Sequence, residues 1–147
     1  MTEKLVVSTD GAVSGRKAAC AAVVTDNGRV IDEEARKLRG LHGYVLAAEI
    51  AAVALAARLV GRMLDEGQAV TLEVDNPYVP RVLNGSYRPA GLNRIPAEAL
   101  AAARTFCDQY EVTFRVLRRN STTGLRRADR LAGRRLWAHR RGRRSRP

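Results

Sequence analysis

The chain has 147 residues, a length that fits one domain with a hydrophobic core, and its apolar content of 46% is ordinary for a globular protein. Its two cysteines have no neighbouring cysteine or histidine, which excludes a zinc site of the usual spacing, and no apolar stretch has the length of a confident membrane span. The formal net charge of +11 comes from residues 115–147, which hold 13 arginines and one aspartate, and this asymmetry indicates a polyanionic partner, most simply nucleic acid.

Three predicted strands open the chain and form a meander. Segments 5–9, 19–25 and 30–38 each have the length of a strand, and the first two are apolar. Asn27 and Gly28 separate the second run from the third, and this dipeptide between two such runs is typical of a tight hairpin. The third run carries five charged residues, so we expect it at an edge of the sheet.

The rest of the chain alternates helices with strands. Apolar residues recur every three or four positions between residues 44 and 64, which predicts a long helix. Asn76 and Pro77 suit the N-cap and first position of a short helix or turn that ends near residue 83. The other predicted elements are a strand at 69–74, a helix at 96–109, a strand at 111–117 and a helix at 125–138. The order predicts an α/β fold, a mixed sheet flanked by helices, with one domain over residues 1–138 and a basic, flexible tail over 139–147.

Four acidic residues occupy positions where an uncompensated charge would be costly. Asp10 and Asp75 close apolar strands, Glu49 lies in a nearly uncharged helix, and Asp129 is surrounded by arginines. Because sites in open α/β sheets gather outside strand ends, we expect Asp10 and Asp75 to converge. Oxygen ligands of this kind suit Mg²⁺, and two divalent ions about 4 Å apart can hold both the attacking water and the leaving oxygen of a phosphodiester.

Each acid also has a purely structural interpretation. Asp10 could form the turn after its strand, and Glu49 could lie on a helix surface. Asp75 could cap the short helix that follows it. Asp129 could pair with an arginine of its own helix, either Arg126 or Arg130.

Four segments resemble, in chain order, the motifs of the ribonuclease H family. Residues 8–12 (STDGA) are similar to the first-strand motif, and residues 48–55 (AEIAAVAL) to the helix motif. Residues 73–79 (EVDNPYV) resemble the third motif, and residues 126–132 (RRADRLA) the last. All four motifs fall on the elements where the family has them, and the resemblance covers roughly residues 3–138.

The resemblance implies the ribonuclease H-like fold, a five-stranded mixed sheet whose second strand is antiparallel, flanked by helices. It also implies an endoribonuclease that hydrolyses the RNA strand of RNA/DNA hybrids by a two-metal mechanism and leaves 5′-phosphate ends. The acids that match the family's catalytic ligands for two Mg²⁺ ions, with Mn²⁺ as the alternative, are Asp10, Glu49, Asp75 and Asp129. The candidate nucleic-acid-binding residues are Arg16, Lys17, Asn76, Arg118, Arg119 and Asn120.

Three loops depart from the family pattern. The stretch after Asp10 is poor in glycine. We therefore expect the side chains of Arg16 and Lys17 to contact phosphates, in place of the backbone amides that approach the RNA in the family. Residues 40–44 lack the asparagines with which many members read RNA. Residues 118–123 lack the mobile histidine of many members. An arginine there cannot be a general base at neutral pH but can stabilise phosphate charge, so we expect retained but slower cleavage.

Two other functions remain open at this stage. One is a non-catalytic nucleic-acid-binding module on the same fold, and the other is a DNA nuclease such as a junction resolvase. Four acids beside a polyanion favour a nuclease over a pure binder, which has no use for them. The Asp-Gly and Asp-x-x-Tyr-Val patterns argue against the DNA nuclease. We further expect a cytoplasmic protein, since no secretory signal is visible, and a monomer with no membrane association. The C-terminal arginines that could grip the substrate are Arg134, Arg135, Arg140, Arg141, Arg143, Arg144 and Arg146.

Overall fold

Five strands form one mixed sheet in the computed structural model, which describes the backbone of residues 5–41 and 43–144 and the side chains of those residues as far as Ala138. The strands are β1 (Leu5–Ser14), β2 (Lys17–Asp26), β3 (Arg29–Leu38), β4 (Ala69–Val74) and β5 (Glu111–Val116). Their order across the sheet is β3-β2-β1-β4-β5. β2 is antiparallel to both of its neighbours, whereas β4 pairs in parallel with β1 and β5. The predicted five-stranded mixed sheet with an antiparallel second strand is therefore confirmed.

The predicted hairpin between the second and third strands is present. Asn27 has φ 53° and Gly28 has φ 79°, both in the left-handed region that a two-residue turn between right-twisted strands requires. The charged strand β3 lies at one edge of the sheet, as its sequence predicts, so most of its charged side chains remain partly in contact with solvent.

Helices cover both faces of the sheet. They are α1 (Val45–Gly61), α2 (Tyr78–Leu83), α3 (Ala97–Gln109) and α4 (Thr123–Arg144), with a short 3-10 turn at Leu92–Arg94. The larger core lies between α1, α3 and one sheet face, and a smaller cluster, mostly of alanines, lies under α4 on the other face. Small side chains on β2, such as Ala21 and Ala22, let helices pack closely on both sides of this strand.

The first strand is five residues longer than its apolar run suggests. β1 continues to Ser14 because it pairs with the whole of β2, from Leu5 opposite Asp26 to Ser14 opposite Lys17. Asp10 therefore lies within a strand and does not end one, which corrects the sequence-based expectation. The parallel pairing of β1 with β4 stops at Ser8 opposite Glu73, so Asp10 still lies just beyond the carboxyl end of the parallel part of the sheet.

The start of α2 and the end of α4 also differ from the predictions. α2 begins at Tyr78 with Pro77 at the N-cap position, one residue later than expected, and the Asn76 side chain accepts the Tyr78 N–H at 2.9 Å. α4 extends to Arg144, past the predicted end at residue 138, so the proposed tail is helical as far as the backbone is described. The predicted flexibility of residues 145–147 and the side chains beyond Ala138 lie outside the described part of the chain. No helix within that part is long and apolar enough to cross a membrane.

Candidate active site

Three of the four predicted acids meet in one cleft. Asp10 on β1, Glu49 on α1 and Asp75 directly after β4 each direct a carboxylate oxygen to the same point, and these oxygens all lie within 4.8 Å of one another. Asp10 and Glu49 are buried, and Asp75 is half-buried. The convergence that the strand ends predict is therefore present, and the long helix adds a third carboxylate.

Gly11 permits this convergence. A Cβ atom at Gly11 would lie 2.6 Å from the carbonyl carbon of Ala48 and 2.7 Å from the backbone nitrogen of Glu49, distances that no real side chain tolerates. The strand and the helix can therefore approach closely only where the strand has glycine. The Gly11 N–H also hydrogen-bonds the Glu49 carboxylate, so one residue fixes both the spacing and the orientation.

The three carboxyls destabilise one another's ionised forms. Burial raises the pKa of Asp10 to about 8, with further increases from a hydrogen bond to Asp129 and from the charge of Asp75. Burial raises the pKa of Glu49 to about 9, and the charges of Asp10 and Asp75 raise it further. Burial also raises the pKa of Asp75, against the lowering effect of Arg119. Without a cation, the site therefore holds protons at neutral pH.

A cation would satisfy an atom that the protein leaves without a partner. Glu49 Oε1 is a buried oxygen with no hydrogen-bond donor. Such atoms are uncommon because they lose their hydration and gain nothing in return. Oxygen ligands from three elements, one of them unpaired, fit a hard divalent cation such as Mg²⁺ or Mn²⁺. Asp10, Glu49 and Asp75 are the residues that would hold it.

Asp129 lies at the margin of this cluster. It is half-buried on α4 and lines the same cleft, of about 570 Å³, as the three acids. Its ion pair is with Arg119 in the β5–α4 loop, whose Nη2 donates to Asp129 Oδ1 at 2.9 Å. Among the described contacts, neither Arg126 nor Arg130 pairs with Asp129. Arg126 instead donates to the Asn120 carbonyl and the Thr123 hydroxyl.

The candidate nucleic-acid-binding residues divide into two groups. Arg119 and Asn76 line the cleft beside the acids. The others do not line it: Arg118 is exposed in the β5–α4 loop, Asn120 is in that loop with φ 60°, Arg16 is at the β1–β2 turn, and Lys17 begins β2. The structure thus brings two of the six residues to the acids.

Glu73 is the buried acid that the sequence analysis missed. Its Oε1 accepts hydrogen bonds from the Ser8 hydroxyl at 2.7 Å and the Thr122 hydroxyl at 2.8 Å, and Thr122 in turn accepts the Leu125 N–H. Gly124 lies against Ser8 so closely that a Cβ there would overlap its hydroxyl. This Ser8-Glu73-Thr122 network attaches the start of α4 to β1 and β4. A charged residue in the middle of an apolar strand was the available signal.

Comparison with solved structures identifies the fold. Ribonuclease H1 from the halophilic archaeon Halobacterium salinarum superposes with a TM-score of 0.74 at 20% identity, over 90% of this chain and 97% of the other. The N-terminal ribonuclease H domain of a Mycobacterium tuberculosis protein gives 0.75 at 19% identity, over 97% and 99%. LC11 ribonuclease H1 in complex with RNA/DNA hybrid gives 0.71 at 20% identity, over 92% and 99%. No family model and no curated protein sequence matches the chain. The fold is therefore ribonuclease H-like, as the motifs predict.

Proposed function

We propose that this chain is a divalent-metal-dependent endoribonuclease that hydrolyses the RNA strand of RNA/DNA hybrids and leaves 5′-phosphate ends. The observation that carries the proposal is the convergence of Asp10, Glu49 and Asp75, with the buried Glu49 oxygen left unpaired. A protein that only bound nucleic acid would gain nothing from three carboxylates that repel one another and repel phosphate.

The acids would act as ligands and would have to ionise first. Because the pKa of Asp10 is about 8 and that of Glu49 about 9 without metal, both must release a proton as the cation binds. Asp129 is the fourth carboxylate, and its position in the same cleft supplies ligands enough for two Mg²⁺ or Mn²⁺ ions. Bound ions of this kind lower the pKa of water and stabilise negative charge on a phosphodiester.

Arg119 would take part in the place of the missing loop histidine. Its guanidinium lies in the cleft, its charge lowers the pKa of both Asp10 and Asp75, and its donors reach Asp129. A guanidinium remains charged at any physiological pH, so it cannot transfer protons. It can hold the scissile phosphate through charge-assisted hydrogen bonds.

The hybrid is the substrate that the fold and the charge distribution support best. One of the superposed structures, LC11 ribonuclease H1, is a complex with RNA/DNA hybrid. The excess of arginine after residue 114 suits a polyanion bound through its backbone. Recognition through duplex shape and 2′-hydroxyl groups needs no sequence-reading side chains.

The test of this proposal measures which duplex the protein cleaves, and whether cleavage requires a divalent metal. The protein is incubated with end-labelled RNA/DNA hybrid, duplex RNA and duplex DNA, each in Mg²⁺, in Mn²⁺ and in chelator. We expect cleavage of the RNA strand of the hybrid alone, with 5′-phosphate products and with no reaction in chelator. Cleavage of duplex DNA in preference to the hybrid would favour a DNA nuclease, and binding without any cleavage would favour a non-catalytic module.

A further inference from the structure

A second groove, separate from the acidic cleft, is lined by basic side chains. It lies between the end of β3 and the C-terminal part of the described α4, with a volume of about 600 Å³. Its lining residues are Arg36, Lys37, Arg39, Arg135 and Ala138. Four of the five are cations and none is an acid, so the groove concentrates positive charge in a concave surface.

The acids next to this groove are already neutralised. Glu34 pairs with Arg36 at 2.8 Å and with Arg62 at 3.5 Å. Glu33 accepts two hydrogen bonds from Arg127, at 2.8 and 2.7 Å. The remaining cations of the groove are Lys37, Arg39 and Arg135, and no carboxylate pairs with them among the contacts of the described residues.

These unneutralised cations repel one another, so an anionic ligand would lower the free energy of the groove. A continuous polyanion suits it better than a small anion, because the three charges come from two separate elements, β3 with its following loop and α4. Lys17, at the same end of the sheet, holds its Nζ 4.4 Å from the ring centroid of Trp137, which is 40% exposed. Lys17 begins β2, so its positive charge extends the basic surface along this end of the sheet.

Strand register places the groove within reach of a duplex bound at the acids. Asp10 lies opposite Ala21, and Ala21 lies opposite Ala35. Asp10 and Ala35 are therefore in register, separated by two strand spacings. Lys37 lies two residues further along β3. With about 4.8 Å between strands and about 3.3 Å per residue, the Cα atoms of Asp10 and Lys37 are on the order of 12 Å apart. That separation equals the length of a few base pairs.

We propose that this basic groove is a second nucleic-acid-binding site, which holds backbone phosphates of a duplex a few base pairs from the strand bound at the acids. That the duplex is the cleaved hybrid rests on the proposed function, whereas the phosphate binding itself does not. Contacts of this kind are independent of sequence and weaken as salt rises, because each phosphate neutralised by the protein releases condensed counterions.

The experiment measures binding of labelled RNA/DNA hybrid, duplex DNA and duplex RNA by fluorescence anisotropy in chelator, across a series of NaCl concentrations. The variants are Lys37→Gln, Arg39→Gln and Arg135→Gln, each of which removes one charge. The matched control is Arg29→Gln, which removes one exposed charge at the opposite end of β3. We expect each groove variant to weaken binding at low salt and to reduce the slope of log K against log[salt] by about 0.9, while the control retains the wild-type slope.

Groove variants that bind all three duplexes with the slope of the Arg29→Gln control would overturn the proposal. The result is independent of catalysis, because the assay contains no metal. If the groove variants show smaller slopes and the wild-type protein cleaves no substrate, the result supports phosphate binding in the groove and contradicts the hybrid nuclease. Unchanged slopes in a protein that cleaves hybrid would contradict the groove alone.

Discussion

The folded protein disfavours the ionised forms of Asp10 and Glu49. Their pKa values of about 8 and about 9 lie above the ordinary values of 3.8 and 4.5, mainly because the carboxyls are buried and near other acids. The same feature explains why the site suits a cation. A divalent ion would replace the protons, satisfy Glu49 Oε1 and reduce the repulsion between the acids.

The first prediction concerns the stability of the metal-free protein. At any pH between the ordinary and the raised pKa values of these two carboxyls, the folded state binds more protons than the unfolded state. Stability is therefore greatest below pH 4 to 5 as far as these two groups contribute, and is lost as pH rises to about 9. Thermal unfolding in chelator should show a smaller loss between pH 5 and pH 9 for Asp10→Asn than for wild type. Equal losses in the two proteins would contradict the assignment.

A second prediction concerns Arg119. Removing its guanidinium should reduce kcat on hybrid by about 10² to 10³, the usual effect of deleting one charge-stabilising donor from an active site. The measurement is kcat of Arg119→Gln at saturating Mg²⁺, so that a changed metal affinity does not enter. Arg118→Gln is the control, because the Arg118 side chain does not line the cleft. A kcat of Arg119→Gln as high as that of Arg118→Gln would exclude a role in stabilising the phosphate.

At the scale of elements, contact between β1 and α1 determines where Glu49 lies. The third prediction is that Gly11→Ala destabilises the fold by about 1–3 kcal/mol or more, because the added methyl overlaps the backbone of Ala48 and Glu49. The matched control is Gly133→Ala in α4, where an added Cβ meets no atom within 4 Å. That change should stabilise the protein by roughly 0.5–1 kcal/mol, as alanine does in a helix interior. Urea unfolding of both variants measures the difference, and two changes of the same sign would refute it.

One buried carboxylate, that of Glu73, joins the start of α4 to the sheet through two hydroxyl groups. The fourth prediction is that Glu73→Leu costs about 1–3 kcal/mol for each of the hydroxyls of Ser8 and Thr122 that it leaves unpaired. Glu73→Gln retains a carbonyl acceptor for both hydroxyls and should lose much less. Because this network positions the helix that carries Asp129, Glu73→Leu should also weaken metal binding measured by calorimetry. Equal stability and metal affinity in the two variants would show that the network does not position α4.

The sequence predicts the type and order of the elements well because hydrophobic periodicity and turn residues carry that information locally. The hairpin at Asn27-Gly28 and the charged edge strand β3 are examples. The end of β1 was missed because its last residues are held by pairing with β2, which is a long-range effect that local pattern cannot reveal. The site likewise combines features that local sequence predicts with features that only long-range packing produces. The motifs point to the acids, whereas the hydrogen bonds of Glu73 and the ion pair of Arg119 with Asp129 arise from packing.

At the scale of the whole molecule, a cluster of acids and a groove of basic side chains lie in two separate regions. The acids gather in one cleft at the carboxyl end of the parallel strands, and unneutralised cations line a groove on the order of 12 Å away. A duplex that contacts both would place one strand near the acids while its backbone phosphates neutralise the groove. Electrostatic attraction and catalysis would then depend on different residues of one small domain, which makes them separable by mutation.

The fifth prediction tests the central claim, that Asp10, Glu49 and Asp75 hold the divalent metal on which hybrid cleavage depends. The measurement is the rate of RNA-strand cleavage in Mg²⁺ for wild type, Asp10→Asn, Glu49→Gln, Asp75→Asn and the exposed-acid control Glu98→Gln, with folding checked by circular dichroism. We expect the three site variants to fold and to lose at least about 10²-fold in rate, the order of loss that follows removal of one charge-stabilising group. Glu98→Gln should cleave like wild type, which in turn should be inactive in chelator. Wild-type rates in the Asp10→Asn or Asp75→Asn protein would contradict the claim.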